Sequence, residues 1–305
     1  MSVDIIPFEA ETSLDWIALT QAIEAGHSLP KASIDDTFLY RDRDTLLSRS
    51  AWIDGLGVAV KSATVFPQNR DAGQPMINGS VSLFSDSDGS LQAYLDFHLV
   101  TKWKTAGDSL LGALKLARPD SKRILIVGAG TVARSLRQAY GAGFPQARFT
   151  IWNRTAAGAE ALQADFPDIA IATDLQQAVA EADIITCATM STEPVLKGAW
   201  LRPGQHIDLI GAYRPDMRET DDEALQKARI FTDSFDTTLD HIGEFKRPLA
   251  SGAIQRSDVL ADYYDLPKFT RQSNDITLFK NGGGAHLDLM VSSYILEAWR
   301  KGRAI

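Results

Sequence analysis

Hydrophobic and polar positions follow two different patterns along the chain, and the change between them comes near residue 118. Before residue 100, a helical pattern at 14–25 is followed by short apolar runs with turn sequences between them. Such runs predict strands, here at 57–66, 79–84 and 91–95. Since short turns join most of these runs, we expect an antiparallel or mixed sheet in this part of the chain.

After a predicted helix at 101–117, which ends before Pro119, short apolar strands alternate with helices. The predicted strands are 123–127, 148–152, 169–172, 184–188 and 206–210, and the predicted helices are 133–140, 156–166 and 175–180. This alternation indicates βαβ units and a parallel sheet covered on both faces. We therefore expect an α/β protein with a first α+β domain at 1–117, a Rossmann domain at 118–284, and a final helix at 285–305.

Composition limits the classes of partner. The 305 residues include 31 basic and 39 acidic side chains, for a net charge of −8, and 45% are hydrophobic. This composition excludes a disordered or collagen-like chain and disfavours nucleic acid as a partner. No apolar run reaches the roughly 18–20 residues of a membrane span, and the first thirty residues lack a secretory pattern. One cysteine, and five histidines without metal-ligand spacing, favour a cytoplasmic protein without a metal.

The clearest chemical motif follows the strand at 123–127. It reads Gly128-Ala129-Gly130-Thr131-Val132 and leads directly into a helix. Glycines at these two positions allow a tight turn and a close approach of the backbone, so that a pyrophosphate can bind at the positive end of the helix. The strand before the motif and the βαβ units after it supply the context that a dinucleotide site needs.

The end of the second strand bears on which nucleotide binds. An NAD site usually carries Asp or Glu there, about 20 residues after the glycines, whereas this chain has Asn153, Arg154 and Thr155. Asn153 can donate a hydrogen bond to a 2′-phosphate, and Arg154 can form a charge-assisted pair with it. The sequence therefore favours NADP(H), with NAD(H) the less favoured cofactor.

Small residues follow the fourth predicted strand of this domain. Ala188, Thr189 and Met190 come where open α/β sheets bind ligands, so they are candidates to lie against a nicotinamide ring. Cys187 precedes them, and a buried thiol is the better interpretation than a nucleophile because no histidine partner is evident.

Several motifs together resemble the ornithine cyclodeaminase/mu-crystallin family. They are KTAGDS (104–109), GAGTVA (128–133), WNR (152–154), ADI (182–184) and PDMRE (215–219), and the resemblance covers about residues 46–288. It implies a substrate-binding and dimerising domain joined to a Rossmann domain, with the last helix returning to the first domain, and a homodimer. It also implies a small-molecule substrate with an imine or amine beside a carboxylate.

The resemblance also implies residues that hold the substrate carboxylate. Lys61 matches a family lysine that faces the substrate, and Lys104 stands where most members have an arginine. A third family anchor, an arginine, has no clear match, and Lys31, Arg41 and Arg43 compete for that role. Arg49 stands in place of a usually apolar residue.

A further departure concerns acid–base chemistry. Cyclodeaminases carry an aspartate shortly after the strand that here ends near Gly211, and Tyr213 takes that place in this chain. A cationic diamine then lacks its carboxylate partner, although Asp216 is near in sequence. Tyr213, Asp216 or water are the candidate proton donors, needed only if the imine binds in its neutral form.

The sequences of these motifs most resemble those of the pyrroline- and piperideine-carboxylate reductases. We therefore expect NADPH-dependent reduction of Δ1-pyrroline-2-carboxylate or Δ1-piperideine-2-carboxylate to the L-amino acid, a ketimine reductase activity. Two alternatives are a cyclodeaminase-type ammonia-lyase and a mu-crystallin-like protein that binds NADPH and a small molecule.

Overall fold

The computed structural model describes residues 3–303, apart from the side chain of Arg70. The strands are β1 (Asp4–Ile6), β2 (Ser33–Arg41), β3 (Asp44–Ile53), β4 (Gly57–Val65), β5 (Ile77–Phe84), β6 (Leu91–Asp96), β7 (Arg123–Val127), β8 (Arg148–Trp152), β9 (Ala170–Ile171), β10 (Ile184–Cys187), β11 (His206–Leu209), β12 (Ala228–Thr232), β13 (Val259–Ala261) and β14 (Ile276–Lys280). The α-helices are α1 (Trp16–His27), α2 (Phe97–Leu116), α3 (Thr131–Gly143), α4 (Ala156–Asp165), α5 (Leu175–Glu181), α6 (Asp222–Lys227), α7 (Phe235–Thr238), α8 (Gly243–Ser251) and α9 (Ala285–Arg303).

The chain divides into two compact units. The first comprises residues 1–104 and 284–305, of which 1, 2, 304 and 305 lie outside the described part, and the second comprises 105–283. The sequence pattern places a change of architecture at residue 118, just before the first parallel strand. The two compact units meet in the sequence between Lys104 and Thr105, which both belong to helix α2.

The first unit is built on a mixed sheet. Within the described residues it has six strands in the order β1-β6-β5-β4-β3-β2, antiparallel throughout except for the parallel pair β1 and β6. This confirms the sheet type that the short turns predict. The sequence pattern misses β2 and β3, since β2 is exposed along its whole length and therefore lacks a buried apolar face.

One helix of the first unit positions functional groups on the sheet. Helix α9 packs against β3, β4 and α1, and its first eight residues, Ala285 to Ser292, are all buried. The predicted helix at 285–305 is therefore present over 285–303, and its last two residues lie outside the described part.

The second unit is a parallel sheet with helices between its strands. Within the described residues the order is β13-β12-β14-β11-β10-β7-β8-β9, and every pair is parallel. The α/β fold class with a Rossmann-type sheet is thus confirmed. Strands β12, β13 and β14 extend the sheet beyond the five predicted strands.

The strand order places a topological switch between β7 and β10. The chain runs from β7 outward through β8 to β9, then returns to the other side of β7 with β10 and continues through β11. Open parallel sheets bind ligands outside the carboxyl ends of their strands at such a point. The loops that follow β7, β8, β10 and β11 therefore surround the place where such a sheet binds its ligand.

Buried apolar side chains hold this arrangement together. Residues of β7, β10 and β11, such as Leu125, Ile185 and Ile207, belong to one core cluster with helix residues such as Val179. Short helices begin at aspartates whose carboxylates accept a backbone N–H, for example Asp174 from Gln177 and Asp221 from Ala224. No helix among residues 3–303 combines the length and apolar character that crossing a bilayer requires.

Candidate active site

The first unit brings two of the predicted site residues together around a buried carboxylate. Lys61, on β4, donates to Asp288 Oδ1 on α9 over 3.0 Å, and the Nζ of Lys104, on α2, lies 3.5 Å from the same oxygen. Lys61 also donates to Thr101 Oγ1 at 2.9 Å and lies 4.7 Å from the centre of the Phe97 ring. Two ammonium groups thus share one carboxylate.

The strand geometry explains why Lys61 points inward. Residues Gly57, Ala59, Lys61 and Ala63 alternate with less buried neighbours, so Lys61 lies on the covered face of β4 with small residues on either side. Burial lowers the pKa of Lys61 to about 8, although the charge of Asp288 opposes this shift. Burial acts to raise the pKa of Asp288, but the charges of Lys104 and Lys61 outweigh it and hold that pKa at about 2.

Arg49 is a third cation whose charge acts on this cluster. It lies on β3 directly opposite Lys61 in the strand register, and its charge contributes to lowering the pKa of both Lys61 and Asp288. Its guanidinium binds both carboxylate oxygens of Asp36 on β2 at 2.7–3.0 Å. The three cations that compete for the third-anchor role in the sequence, Lys31, Arg41 and Arg43, are exposed, and Arg41 pairs with Asp44 at 2.7 Å.

In the second unit the glycine motif forms the turn from β7 into α3. Gly128 has φ +108°, and a Cβ on it would lie 2.7 Å from the Ala188 carbonyl oxygen, so glycine is required there. Gly130 precedes Thr131, the first residue of the helix, and a Cβ on Gly130 would meet no atom within 4 Å. This open space at the N-terminus of a 13-residue helix fits the pyrophosphate of a dinucleotide.

The loop after β8 carries the residues that the sequence assigns to the 2′-phosphate. Arg154 and Thr155 are exposed. The side-chain amide of Asn153 donates to the carbonyl and hydroxyl oxygens of Thr155, both at 3.0 Å. Among residues 3–303, Arg154 forms no ion pair, so its guanidinium is the more available group for an incoming phosphate.

The loops after β10 and β11 lie against each other. A Cβ on Gly211 would overlap the Thr189 backbone, with only 1.8 Å to its carbonyl oxygen, and Ala188 is joined to β7 by a 2.8 Å hydrogen bond to the Val127 carbonyl oxygen. Met190 is exposed. The predicted nicotinamide neighbours, Ala188, Thr189 and Met190, directly follow β10 at the carboxyl end of this strand.

The carboxylate of Glu219 connects these two loops. Its Oε1 accepts from the backbone and hydroxyl of Thr189, both at 2.8 Å, and its Oε2 accepts from the backbone of Gly211 at 2.7 Å and of Ala212 at 3.2 Å. Burial raises the pKa of Glu219 to about 7, the charge of Lys280 opposes that rise, and the nearby Glu244 adds to it.

The candidate proton donors, Tyr213 and Asp216, are both exposed in the loop after β11. Arg214 binds both carboxylate oxygens of Asp216 at 2.7–2.9 Å. This hydrogen bonding lowers the pKa of Asp216, so at neutral pH its carboxyl is ionised and holds no proton to donate.

Two other interpretations from the sequence concern reactivity and metal binding. Cys187 is fully buried, and burial raises the pKa of its thiol well above the usual value, which makes it a poor nucleophile. Within the described residues, no three His, Cys, Asp or Glu side chains form a group able to hold a metal ion.

The sequence patterns assign no role in the site to Asp288, Arg49 or Glu219. The position of Arg49 could have been inferred from the sequence. Arg49 and Lys61 are equally far from the turn near Gly55, so they lie opposite each other in a hairpin. Glu219 belongs to the recognised PDMRE motif, but its partners lie in loops 8 and 30 residues away. Asp288 lies 227 residues from Lys61, and no local pattern joins the two.

Comparison with known proteins identifies the family of this chain. The model of the ornithine cyclodeaminase/mu-crystallin family matches residues 51–303. A Δ1-pyrroline-2-carboxylate reductase of Paracoccus denitrificans is 51% identical over 296 residues, which cover 94% of each chain. The mouse ketimine reductase mu-crystallin is 33% identical over 249 residues, 81% of this chain and 77% of the mouse protein.

A solved structure with the same fold is that of Thermococcus litoralis Δ1-pyrroline-2-carboxylate reductase in complex with NADH and L-proline. It superposes with a TM-score of 0.88 at 23% identity and covers 99% of this chain and 98% of its own. The family match extends over most of the chain, and the resemblance that the sequence motifs carry is confirmed. This chain belongs to the ornithine cyclodeaminase/mu-crystallin family.

Proposed function

We propose that the protein reduces a cyclic α-imino acid, Δ1-pyrroline-2-carboxylate or Δ1-piperideine-2-carboxylate, to the L-amino acid with NADPH. The observation that carries this proposal is the buried cluster of Lys61, Lys104 and Asp288. Relatives named as Δ1-pyrroline-2-carboxylate reductase and ketimine reductase give it independent support.

The charge of the cluster matches a monocarboxylate. Two lysines carry two positive charges, Asp288 supplies one negative charge, and Asp36 already neutralises Arg49. One positive charge is left for a substrate carboxylate, which both ammonium groups can bind with charge-assisted hydrogen bonds. The burial of Lys61 strengthens that interaction, since a low-dielectric surrounding screens charges less.

The second unit provides the groups for a nicotinamide dinucleotide. The N–H groups at the start of α3 and the open side of Gly130 would hold the pyrophosphate, and Ala188, Thr189 and Met190 would line the nicotinamide. When bound, the reduced cofactor supplies a hydride. Arg154 would pair with the 2′-phosphate, so we propose NADPH rather than NADH as the preferred reductant.

The substrate nitrogen needs no protein acid when the imine binds in its protonated form, which accepts hydride readily. For a neutral imine, a proton must come from a group that carries one at neutral pH. The paired carboxylate of Asp216 does not meet that condition. We therefore assign any required donation to the hydroxyl of Tyr213 or to water.

A cyclodeaminase activity would need a carboxylate to bind the second amino group of a diamino acid. The loop after β11 has Tyr213 where cyclodeaminases have an aspartate, and the nearby Asp216 is exposed and bound to Arg214. We therefore place ammonia release from ornithine second to imine reduction.

We also propose that the protein acts as a homodimer in the cytoplasm. Strand β2 is exposed along its length and presents Phe38, Leu39 and Tyr40 at the edge of the first sheet. An exposed apolar edge strand is stabilised when a second copy covers it. Replacing Leu39 by Lys is expected to shift the sedimentation equilibrium from dimer to monomer.

Product analysis tests the proposed reaction. The protein is incubated with NADPH and either imino acid, and the mixture is resolved by chiral chromatography, with L-ornithine and NAD⁺ in a parallel reaction assayed for ammonia. L-proline or L-pipecolate formed in proportion to NADPH oxidised supports the proposal. Ammonia from L-ornithine without an L-amino acid from either imine would contradict it.

A further inference from the structure

Glu219 occupies an unusual place in the second unit, because each oxygen of its carboxylate serves a different loop. The loop after β10 donates twice to Oε1, and the loop after β11 donates twice to Oε2. A carboxylate that accepts from two separate loops fixes the distance between them. The two loops here are those that leave neighbouring strands, β10 and β11.

The backbone of Glu219 is fixed by hydrogen bonds of its own. Its backbone N–H donates to Glu244 Oε2 at 2.7 Å, and its carbonyl oxygen accepts from Val195 and Leu196, both at 2.9 Å. Glu244 Oε1 accepts from the backbone and hydroxyl of Thr220. The side chain of Glu219 is therefore presented to the loops from a rigid support.

Placing two buried carboxylates close together is costly. Both Glu219 and Glu244 are fully buried, and a buried charge is tolerated only when hydrogen bonds and opposite charges compensate it. Here four donors and the charge of Lys280 compensate Glu219. A neutral side chain could join two loops at a lower free-energy cost of burial. The carboxylate is better explained by its ability to fix the positions of four hydrogen-bond donors.

We propose that Glu219 is a positioning residue for the nicotinamide half of the cofactor. It holds Thr189 and Gly211 at the switch point, where the proposed function places the ring. The pyrophosphate would lie at Gly130 and the 2′-phosphate of the adenosine half at Arg154, and among the described residues Glu219 forms no hydrogen bond to the loops that carry these two residues. Loss of the carboxylate should therefore affect one half of the dinucleotide and spare the other.

Two ligands distinguish binding of the nicotinamide half of the cofactor from binding of its adenosine half. NADPH carries both, whereas adenosine 2′,5′-bisphosphate carries the 2′-phosphate and lacks the nicotinamide. Dissociation constants of the full-length protein for both ligands are measured by calorimetry at pH 8, where the carboxyl of Glu219 is mostly ionised. The Glu219→Gln variant keeps the size of the side chain but replaces one acceptor oxygen by a donor NH₂ group.

We expect Glu219→Gln to weaken NADPH binding by about tenfold while the affinity for adenosine 2′,5′-bisphosphate stays within about twofold. Equal weakening of both ligands, or no change in either, would overturn the inference. The matched control is Asp183→Asn, a buried carboxylate that accepts from the backbone of Lys122 and Arg123, both at 3.0 Å, at the amino ends of β7 and β10. Its ratio of the two affinities should equal that of the unmodified protein.

Thr189→Val provides a second variant in case Glu219→Gln does not fold. Valine preserves the shape of threonine but removes the hydroxyl that donates to Glu219 Oε1. It should change the affinity ratio in the same direction by a smaller factor, and an unchanged ratio would again overturn the inference.

The inference rests on the proposed function only for the place of the cofactor, and its test needs no imine. A protein that binds NADPH with the expected ratio but reduces no imino acid would refute the proposed substrate alone, whereas absence of NADPH binding would refute both.

Discussion

Lys61 and Asp288 form a buried ion pair, 3.0 Å between Nζ and Oδ1, although 227 residues separate them in the chain. The pKa of Lys61 is lowered to about 8 and that of Asp288 to about 2, so both groups are charged at pH 7. The Nζ of Lys104 lies 3.5 Å from the same carboxylate oxygen, so two ammonium groups face one carboxylate. Three predictions concern this cluster.

Binding of a carboxylate should weaken as the pH rises through about 8, because Lys61 loses its proton there. Pyrrole-2-carboxylate is a suitable probe, since it has the ring and carboxylate of the substrate but no basic nitrogen. Its inhibition constant should rise about tenfold between pH 7 and 9. In Lys61→Arg, whose guanidinium stays protonated throughout, the rise should be less than about twofold. Equal rises in both proteins would exclude Lys61 as the titrating group.

Removal of the Asp288 charge should move this titration to lower pH. The carboxylate raises the pKa of Lys61 against the effect of burial, so Asp288→Asn should shift the midpoint downward by about one unit. The control is Asp4→Asn, which removes the carboxylate partner of the exposed Arg300 on the same helix α9. A midpoint that stays near 8 in Asp288→Asn would contradict the role given to the pair.

Truncation of Lys104 should affect substrate binding far more than truncation of its neighbour. Lys104→Ala should raise KM and lower kcat/KM by about 10- to 100-fold, the range for a lost charge-assisted hydrogen bond. Lys102 lies two residues earlier on α2 and pairs with Glu11, so Lys102→Ala is expected to leave KM within about twofold. Steady-state kinetics on both variants decide the matter, and an unchanged KM in Lys104→Ala would remove this residue from the site.

The two glycines of the GAG motif should respond differently to alanine. A Cβ on Gly130 meets no protein atom within 4 Å, so Gly130→Ala should keep the Tm within about 2 °C. The same variant should weaken NADPH binding at least about tenfold, because the methyl group would enter the space proposed for the pyrophosphate. Gly128 has φ +108° and only 2.7 Å to the Ala188 carbonyl oxygen. Gly128→Ala should therefore cost about 1–3 kcal/mol of folding free energy. A Gly130→Ala protein that binds NADPH normally would refute the placement of the pyrophosphate.

Selectivity between NADPH and NADH should depend on Arg154. Replacing it by Ala should lower the ratio of kcat/KM for NADPH to that for NADH by about tenfold, because a charge-assisted pair with the 2′-phosphate is lost. Arg148 lies exposed at the other end of strand β8, and Arg148→Ala is the matched control with an unchanged ratio. A ratio that Arg154→Ala leaves unchanged would mean that the 2′-phosphate is not bound there.

The sequence predicts those parts of the fold whose pattern is local. Continuous apolar runs such as 123–127 and 184–188 reveal buried parallel strands, and the glycine motif between a strand and a helix reveals the turn at Gly128. Strand β2 escapes prediction because none of its residues is buried.

The candidate site is predictable only in part, for a related reason. Alternation along β4 shows that Lys61 and Ser62 face opposite sides, but the side that is covered depends on α9, which follows more than 200 residues later. Asp288 reaches Lys61 only because helix α9 packs on this strand. Glu219 likewise acquires its role from loops that the sheet brings together.

Absorbance at 340 nm tests most directly whether the protein reduces a cyclic imino acid with NADPH. Purified protein is mixed with NADPH and Δ1-pyrroline-2-carboxylate, with NADH and Δ1-piperideine-2-carboxylate in parallel. We expect rapid loss of absorbance with at least one ring, faster with NADPH than with NADH, and little loss with Lys104→Ala. No oxidation with either ring, in a preparation whose NADPH binding has been verified, would contradict the account.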